Sequence, residues 1–348
     1  MEKIIINTPG SISEILVGES WQSVTRLLPE NGVVIITDDN VRRLYGDRFP
    51  KVPLFAVPPG EGSKKLEVVE RLAEKLLEAG IDRTGFVLAI GGGVVCDLAG
   101  FLASIYMRGI RCGYVSTSLL SQVDASTGGK NGVNLEGTKN MLGNIRQPEF
   151  VICDPAMLLS LPDEEYLSGL SELIKTAIIG DKDLFDLIER SHKEIMDRNC
   201  DLLSVLVTKS VTFKASVVSE DEKETGLRRI LNFGHTYGHA IEMQKFVKHG
   251  FAVASGMELA TDFSFEKGII SSGERDRIVN MLNKFGLLET HNIPDDQIDQ
   301  LILHDKKKTG TDIHFVFTEG IGKAIVKKVS VGEVTGFYKR FRDKKIKL

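Results

Sequence analysis

Cysteine is scarce: the 348 residues include four, Cys96, Cys112, Cys153 and Cys200, and no CxxC pair. That excludes a disulfide framework or a cysteine-rich zinc module and fits a reducing compartment, so a cytoplasmic protein is expected. A charge excess is also missing, since 44 Lys and Arg stand against 48 Asp and Glu for a net charge of −4. This argues against a general nucleic-acid or anionic-membrane binder. Long hydrophobic runs are missing too. Charge-free stretches such as residues 112–123 fall short of the roughly 18 apolar residues of a membrane helix. The opening MEKIIINTPG enters a β-like run with no secretory n-region or h-region. No internal repeat or low-complexity segment is found, and the basic run Lys339–Lys347 reads as a solvated end.

What is present is ordinary globular composition, 42% hydrophobic and 26% charged, at a length that suits two domains. Short apolar runs (Ile4–Ile6, Val33–Thr37, Leu54–Val57, Phe86–Ile90, Gly113–Val115, Val151–Cys153) alternate with helical or turn-rich segments. Such alternation predicts an α/β domain with a mostly parallel, doubly wound sheet. One helix is explicit: Leu66, Val69, Leu72, Ala73, Leu76 and Leu77 recur at steps of three and four, with Ser63 as the expected N-cap and Gly80 as the stop. From Pro162 to about Phe285 the periodicity is helical. A small β pair near Ile313–Phe317 and Gly322–Val326 follows, and then a closing helix after Ser330. Asp154-Pro155 and Leu161-Pro162 mark the boundary, giving domains of 1–158 and 159–348.

Four features carry chemistry. Gly91-Gly92-Gly93 lies between the strand FVLAI and the helical run Val94–Tyr106, where bare backbone and a helix N-terminus favour a phosphate. Asp38-Asp39-Asn40 and Pro58-Pro59-Gly60-Glu61 follow other strand ends, where ligands gather in open α/β sheets. The segment Gln122–Asn140 is polar, with Asp124, Lys130, Lys139 and Asn140 able to hold anionic oxygens or hydroxyls; taken alone it reads equally as a flexible surface loop. Three of the seven histidines, His235, His239 and His249, fall within fifteen residues. They suit zinc with a carboxylate as third ligand, for which Glu172 is the candidate because Lys175 lies one turn on. Lys214, Arg228 and Lys306-Lys307-Lys308 are the cations of that half. Arg228, Asn232 and His235 have the spacing of one helical face.

The stretches TDDNV, PPGEGSK, AIGGGVVCDLAGF, YMRG, LLSQVDASTGGKNGVN, KNMLG, LSELIK, GLRRILNFGHTYGHAIE, HGFAVASGM and HDKK together closely resemble the 3-dehydroquinate synthase family of sugar-phosphate cyclases, in family order. The resemblance implies an NAD-binding α/β domain followed by a mainly α-helical metal-binding domain, in a homodimer. It implies NAD+ and Zn2+ or Co2+ as cofactors. The implied substrate is a phosphorylated sugar acid, 3-deoxy-D-arabino-heptulosonate 7-phosphate, converted to 3-dehydroquinate and phosphate on the shikimate route to aromatic amino acids. The implied sequence is transient oxidation at C5, β-elimination of phosphate, re-reduction, ring opening and intramolecular aldol closure. No obvious general base is expected, since the family is thought to use the substrate's own phosphate.

By the family pattern Glu172, His235 and His249 are metal ligands. His239, which helical spacing would pair with His235, becomes a substrate contact. Asp38, Asn40, Glu61, Lys64, Gly92, Gly93, Asp97, Thr117 and Ser118 match dinucleotide positions, with Lys130 and Lys139 adjoining both ligands. Asp124, Lys130, Lys139, Asn140, Lys175, Lys214, Arg228, Asn232, His239 and Lys306 match substrate positions, and Arg108 an arginine that reaches the partner subunit. Rival readings are another sugar-phosphate cyclase or a metal-dependent polyol dehydrogenase. The sequence departs from the family at Cys96, Ser118, Asn131 and, most of all, Phe251, which removes a carboxylate two residues from His249.

Overall fold

The structure, a computed structural model, describes residues 1–243, 247–290, 292–305 and 312–346. The chain divides into two compact units, Met1–Tyr166 with Met196–Lys223, and Leu167–Ile195 with Glu224–Leu348.

The first unit runs β1 (Glu2–Thr8), β2 (Ser11–Val17), β3 (Val33–Asp38), α1 (Asp39–Tyr45), β4 (Leu54–Val57), α2 (Leu66–Glu78), β5 (Phe86–Gly91), α3 (Gly93–Ile105) and β6 (Arg111–Ser116). Then come β7 (Lys130–Leu135), β8 (Thr138–Ile145) and β9 (Phe150–Cys153). Seven strands form one sheet in the order β1-β2-β9-β6-β5-β3-β4. Only the β1–β2 pair is antiparallel. Every residue of β5 is buried, as a central parallel strand covered on both faces requires. One face of the sheet presents Ile35, Leu88, Ile90, Val115 and Ile152 to a core completed by Trp21, Phe49 and Met157.

The sheet follows the sequence-derived runs, and β2 is an additional strand that pairs back on β1. Two local expectations change. The α2 helix starts after Lys65 without a side-chain cap. Ser63 closes a preceding 3-10 turn instead, its hydroxyl donating to the Pro58 carbonyl. Residues 122–140 are not a loop: Ser121–Ala125 form a π-helical turn, and β7 and β8 form a separate antiparallel hairpin. Its glycines conceal the strand pattern, yet Gly132 and Gly143 are needed where the backbones cross. A Cβ on Gly143 would lie 2.4 Å from the Asn131 carbonyl.

Helices continue with α4 (Asp163–Gly180), α5 (Lys182–Arg190), α6 (His192–Met196), α7 (Cys200–Glu220), α8 (His235–Glu242), α9 (His249–Glu266), α10 (Ser272–Lys284) and α11 (Asp295–Asp305). A hairpin of β10 (Asp312–Gly320) and β11 (Lys323–Ser330) and the closing α12 (Val331–Ile346) complete the chain. In the second unit Phe263 is the aromatic centre, stacked on Phe337 at 4.6 Å and meeting Phe315 and Phe317 of the hairpin at 5.4 and 5.2 Å. The α7 helix has the length and hydropathy of a membrane-crossing segment. It is nevertheless a core helix of the first unit, burying Leu203, Leu206, Val207 and Val211, each contributing about 1.5–3 kcal/mol.

Candidate active site

In the first unit the matched residues lie at the carboxyl ends of adjacent parallel strands. Gly91 ends β5, Gly92 is the N-cap of α3, and Gly93 opens that helix. Thr117 and Ser118 follow β6, with Thr117 N–H donating to the Gly91 carbonyl at 3.0 Å. Room at the turn is scarce: a Cβ on Gly92 would stand 3.2 Å from Ser118 Oγ, and one on Gly93 3.0 Å from Ala125 Cβ. Bare backbone at a helix N-terminus is what a phosphate needs. Asp38 ends β3, and its Oδ1 accepts from the N–H groups of Asn40 (2.9 Å) and Val41 (3.0 Å), capping α1. Burial raises its carboxyl above the usual range.

Below that edge Lys64 is the hub of a polar network. Its buried ammonium donates to Asp97 Oδ2 at 2.7 Å and to Asn140 Oδ1 at 2.5 Å. Asn134 joins in twice, donating to Glu61 Oε1 at 2.9 Å and accepting from the Asn140 N–H at 2.9 Å. Asn140 is held at φ +52°, a left-handed geometry that asparagine tolerates better than most residues. Burial pushes the Asp97 carboxyl up to about 6 against the opposing pull of Lys64. Lys130 opens β7 and Lys139 lies in β8, both exposed. Asp124, on the π-helical turn, is paired with the buried Lys214 of α7 at 2.5 Å.

The second unit brings Glu172, His235 and His249 together, with one ligand atom from each lying within 4.8 Å of the others. Glu172 is wholly buried on α4, and neither of its oxygens makes a hydrogen bond of good geometry. Basic groups face them instead: Lys175 ion-pairs with Oε2, while His235 Nε2 and His249 Nε2 stand 3.7 and 3.4 Å from Oε1. Burial pushes the Glu172 carboxyl up, but Lys175 and the imidazoles outweigh it and hold it well below its usual range. Burial and the Lys175 charge drive His235 well down. Burial would lower His249 as well, yet Glu172 and Glu242 raise it to about 9.

These residues fit a divalent metal. His235 Nδ1 faces the Phe233 carbonyl at 3.2 Å, which leaves Nε2 directed at the buried carboxylate. Two imidazoles and one carboxylate are the donors of an open zinc or cobalt site. His239 is adjacent but outside the three, its ring 5.2 Å from that of His235 and 6.3 Å from that of His249.

Glycines set the spacing of α9 against α8 and α4. A Cβ on Gly256 would meet the Gly234 carbonyl at 2.0 Å, and one on Gly250 the Ser168 carbonyl at 2.1 Å. The expected single helical face through Arg228, Asn232 and His235 is broken. Leu227–Asn232 is a 3-10 helix, and Gly234 at φ +79° turns the chain before α8 begins. Arg228 is buried on that turn, and Asn232 donates to Glu224 Oε1 at 2.5 Å. Arg108 is exposed at φ +70° beside Met107 at φ +48°. Lys306, with Lys307 and Lys308, lies outside the described residues.

Comparison with known proteins then decides the family. The profile for the 3-dehydroquinate synthase N-terminal region matches residues 54–168, and that for its C-terminal region matches residues 169–308. The chain belongs to the 3-dehydroquinate synthase family. A 3-dehydroquinate synthase of Solibacter usitatus is 39% identical over 339 residues, covering 94% of this chain and 95% of its own. Among solved structures, 2-deoxy-scyllo-inosose synthase complexed with carbaglucose-6-phosphate, NAD+ and Co2+ superposes with a TM-score of 0.87 at 25% identity, over 97% of this chain and 100% of the other. So does 2-epi-5-epi-valiolone synthase of Streptomyces hygroscopicus with NAD+ and Zn2+, with a TM-score of 0.86 at 25% identity, over 95% and 96%.

Sequence reasoning missed three polar partners. Asn134 sits in a stretch read equally as a ligand site or a loop, Glu224 is eight residues before the amide it holds, and Glu242 is seven before His249. Only the last has a cue, as the carboxylate about two turns after His235 in the helical spacing that His235 and His239 share.

Proposed function

We propose that this chain converts 3-deoxy-D-arabino-heptulosonate 7-phosphate to 3-dehydroquinate and phosphate, as a carbon–oxygen lyase that returns its NAD+ at the end of each cycle. The observation that carries the reading is the convergence of Glu172, His235 and His249 on one point with Lys175 beside them, in a chain 39% identical to a 3-dehydroquinate synthase. When bound, the divalent metal supplies Lewis-acid polarisation of a substrate hydroxyl and the dinucleotide a reversible hydride acceptor.

The chain's own residues prepare that chemistry. Lys175 keeps Glu172 ionised without a proton on either oxygen, so the carboxylate is ready to ligate with the Nε2 atoms of His235 and His249. Gly92 and Gly93 expose backbone to the dinucleotide phosphates, with Asp38, Asn40, Glu61, Lys64, Asp97, Thr117 and Ser118 around them. The network through Lys64 fixes the Asn140 amide before substrate arrives, so orienting it costs little at the moment of reaction. The substrate carries a carboxylate and a phosphate, about three negative charges, which need fixed cations. Lys130 and Lys139 are assigned to the phosphate, with Asn140. Lys214 and Arg228 are assigned to the carboxylate, and Asp124, Asn232 and His239 to hydroxyls. Dinucleotide binding is assigned to residues 1–158, and metal binding, with Lys214, Arg228, Asn232 and His239 for substrate, to residues 159–348.

A homodimer follows from the same reading. Arg108 projects from a turn whose backbone is left-handed at two non-glycine positions, flanked by the exposed side chains of Ile105 and Met107. The four free thiols support a cytoplasmic location.

The test is to incubate metal-loaded protein with heptulosonate 7-phosphate and sub-stoichiometric NAD+, following phosphate and NADH together. Many phosphates per NAD+ without lasting NADH is the expected result. Stoichiometric NADH would assign a dehydrogenase instead. Turnover of sedoheptulose 7-phosphate or glucose 6-phosphate in place of the sugar acid would assign another cyclase.

A further inference from the structure

We infer that Glu242 is the positioning residue of the metal site, orienting His249 from behind. Its two oxygens straddle His249 Nδ1 at 3.4 and 3.5 Å, and its side chain is largely buried, 12% exposed. The other ring nitrogen, Nε2, faces Glu172 Oε1 at 3.4 Å. An imidazole between two carboxylates has one tautomer that serves a metal: Nδ1 carries the proton toward Glu242, and the Nε2 lone pair points at the ligand site. A carboxylate behind a ligating histidine also raises its basicity.

Position 251 lacks a carboxylate. Phe251, two residues after His249 on α9, is buried and has no acceptor. The carboxylate behind His249 comes from the last turn of α8, the helix that begins with the ligand His235. One short helix thus delivers a ligand at its first residue and the support for a second ligand at its last. The inference rests on the reading of Glu172, His235 and His249 as metal ligands.

The experiment measures Zn2+ affinity by competition with a chromophoric chelator, together with the visible spectrum of the Co2+-loaded protein, for the parent chain, Glu242→Ala and Glu242→Gln. Glu242→Ala is expected to weaken Zn2+ binding by about 10- to 100-fold and to shift the cobalt bands. Glu242→Gln, whose amide oxygen still accepts from Nδ1, is expected to fall between. If Glu242→Ala does not fold, the loss in Glu242→Gln relative to parent carries the test. Zn2+ affinity within twofold of parent and an unchanged cobalt spectrum in the variants would overturn the role of Glu242 while leaving the metal site standing. Failure of the parent chain to bind either ion would overturn both.

Discussion

The ammonium of Lys214 donates twice to Asp124, to its side-chain carboxylate at 2.5 Å and its backbone carbonyl at 2.6 Å. Lys214 is buried on α7, and these two bonds tie its charge to the π-helical turn. Lys214→Met keeps the aliphatic stem but strips the donor from both oxygens. Urea unfolding is expected to show a loss of about 1–3 kcal/mol. Under the proposed assignment of Lys214 to the substrate carboxylate, steady-state kinetics are expected to show kcat/KM reduced by about 100-fold or more. Unchanged kinetics would remove Lys214 from the substrate-holding group.

Asp97 gives a pH dependence with a definite sign. Its carboxyl is raised from 3.8 to about 6 by burial, even with Lys64 opposing. The folded protein therefore holds this proton more tightly than the unfolded chain. Well below pH 3.8 both states are protonated and the group contributes nothing. Between pH 3.8 and about 6 the unfolded chain ionises this group while the native carboxyl keeps its proton, and stability falls by on the order of 2–3 kcal/mol. Asp97→Asn is expected to flatten that slope in urea titrations between pH 4 and 7. A variant with the parent's slope would contradict the assignment.

Metal loading is expected to stabilise the chain. Zinc at one hundred times its dissociation constant contributes about 2.7 kcal/mol, visible as a rise in thermal midpoint that a chelator reverses. His235→Ala and Glu172→Ala are expected to lose the rise. A rise surviving in both variants would place the ion elsewhere.

Gly256→Ala is expected to destabilise by about 1–3 kcal/mol or more through overpacking, since its Cβ would meet the Gly234 carbonyl at 2.0 Å. Gly273→Ala is the control. Nothing lies within 4 Å of the corresponding position on α10, and alanine gains helix propensity of up to about 1 kcal/mol. Chemical denaturation of the two variants side by side distinguishes a packing effect from a general intolerance of change.

Most of the first sheet was legible because central parallel strands are continuous apolar runs; FVLAI has no polar position to confuse the pattern. β2 was harder, since SISEILV mixes exposed and buried residues on an edge pair. The β7–β8 hairpin was hidden because its composition answers to backbone crossing and ligand groups rather than to a core. At the metal site, helical spacing alone favours His235 with His239, while tertiary packing selects His249, fourteen residues on. Asn134, Glu224 and Glu242 act through hydrogen bonds and ion pairs at separations that leave no periodic trace.

The left-handed corner at Gly234 separates the 3-10 turn bearing Arg228 and Asn232 from the helix bearing His235 and His239. Each segment therefore has its own axis, joined by a residue without a side chain. Sequence change in 227–232 can re-aim the groups assigned to substrate without tilting the imidazoles of 235–242. A chain built this way can drift toward a different sugar phosphate while its metal chemistry stays fixed, and the two properties are open to selection one at a time.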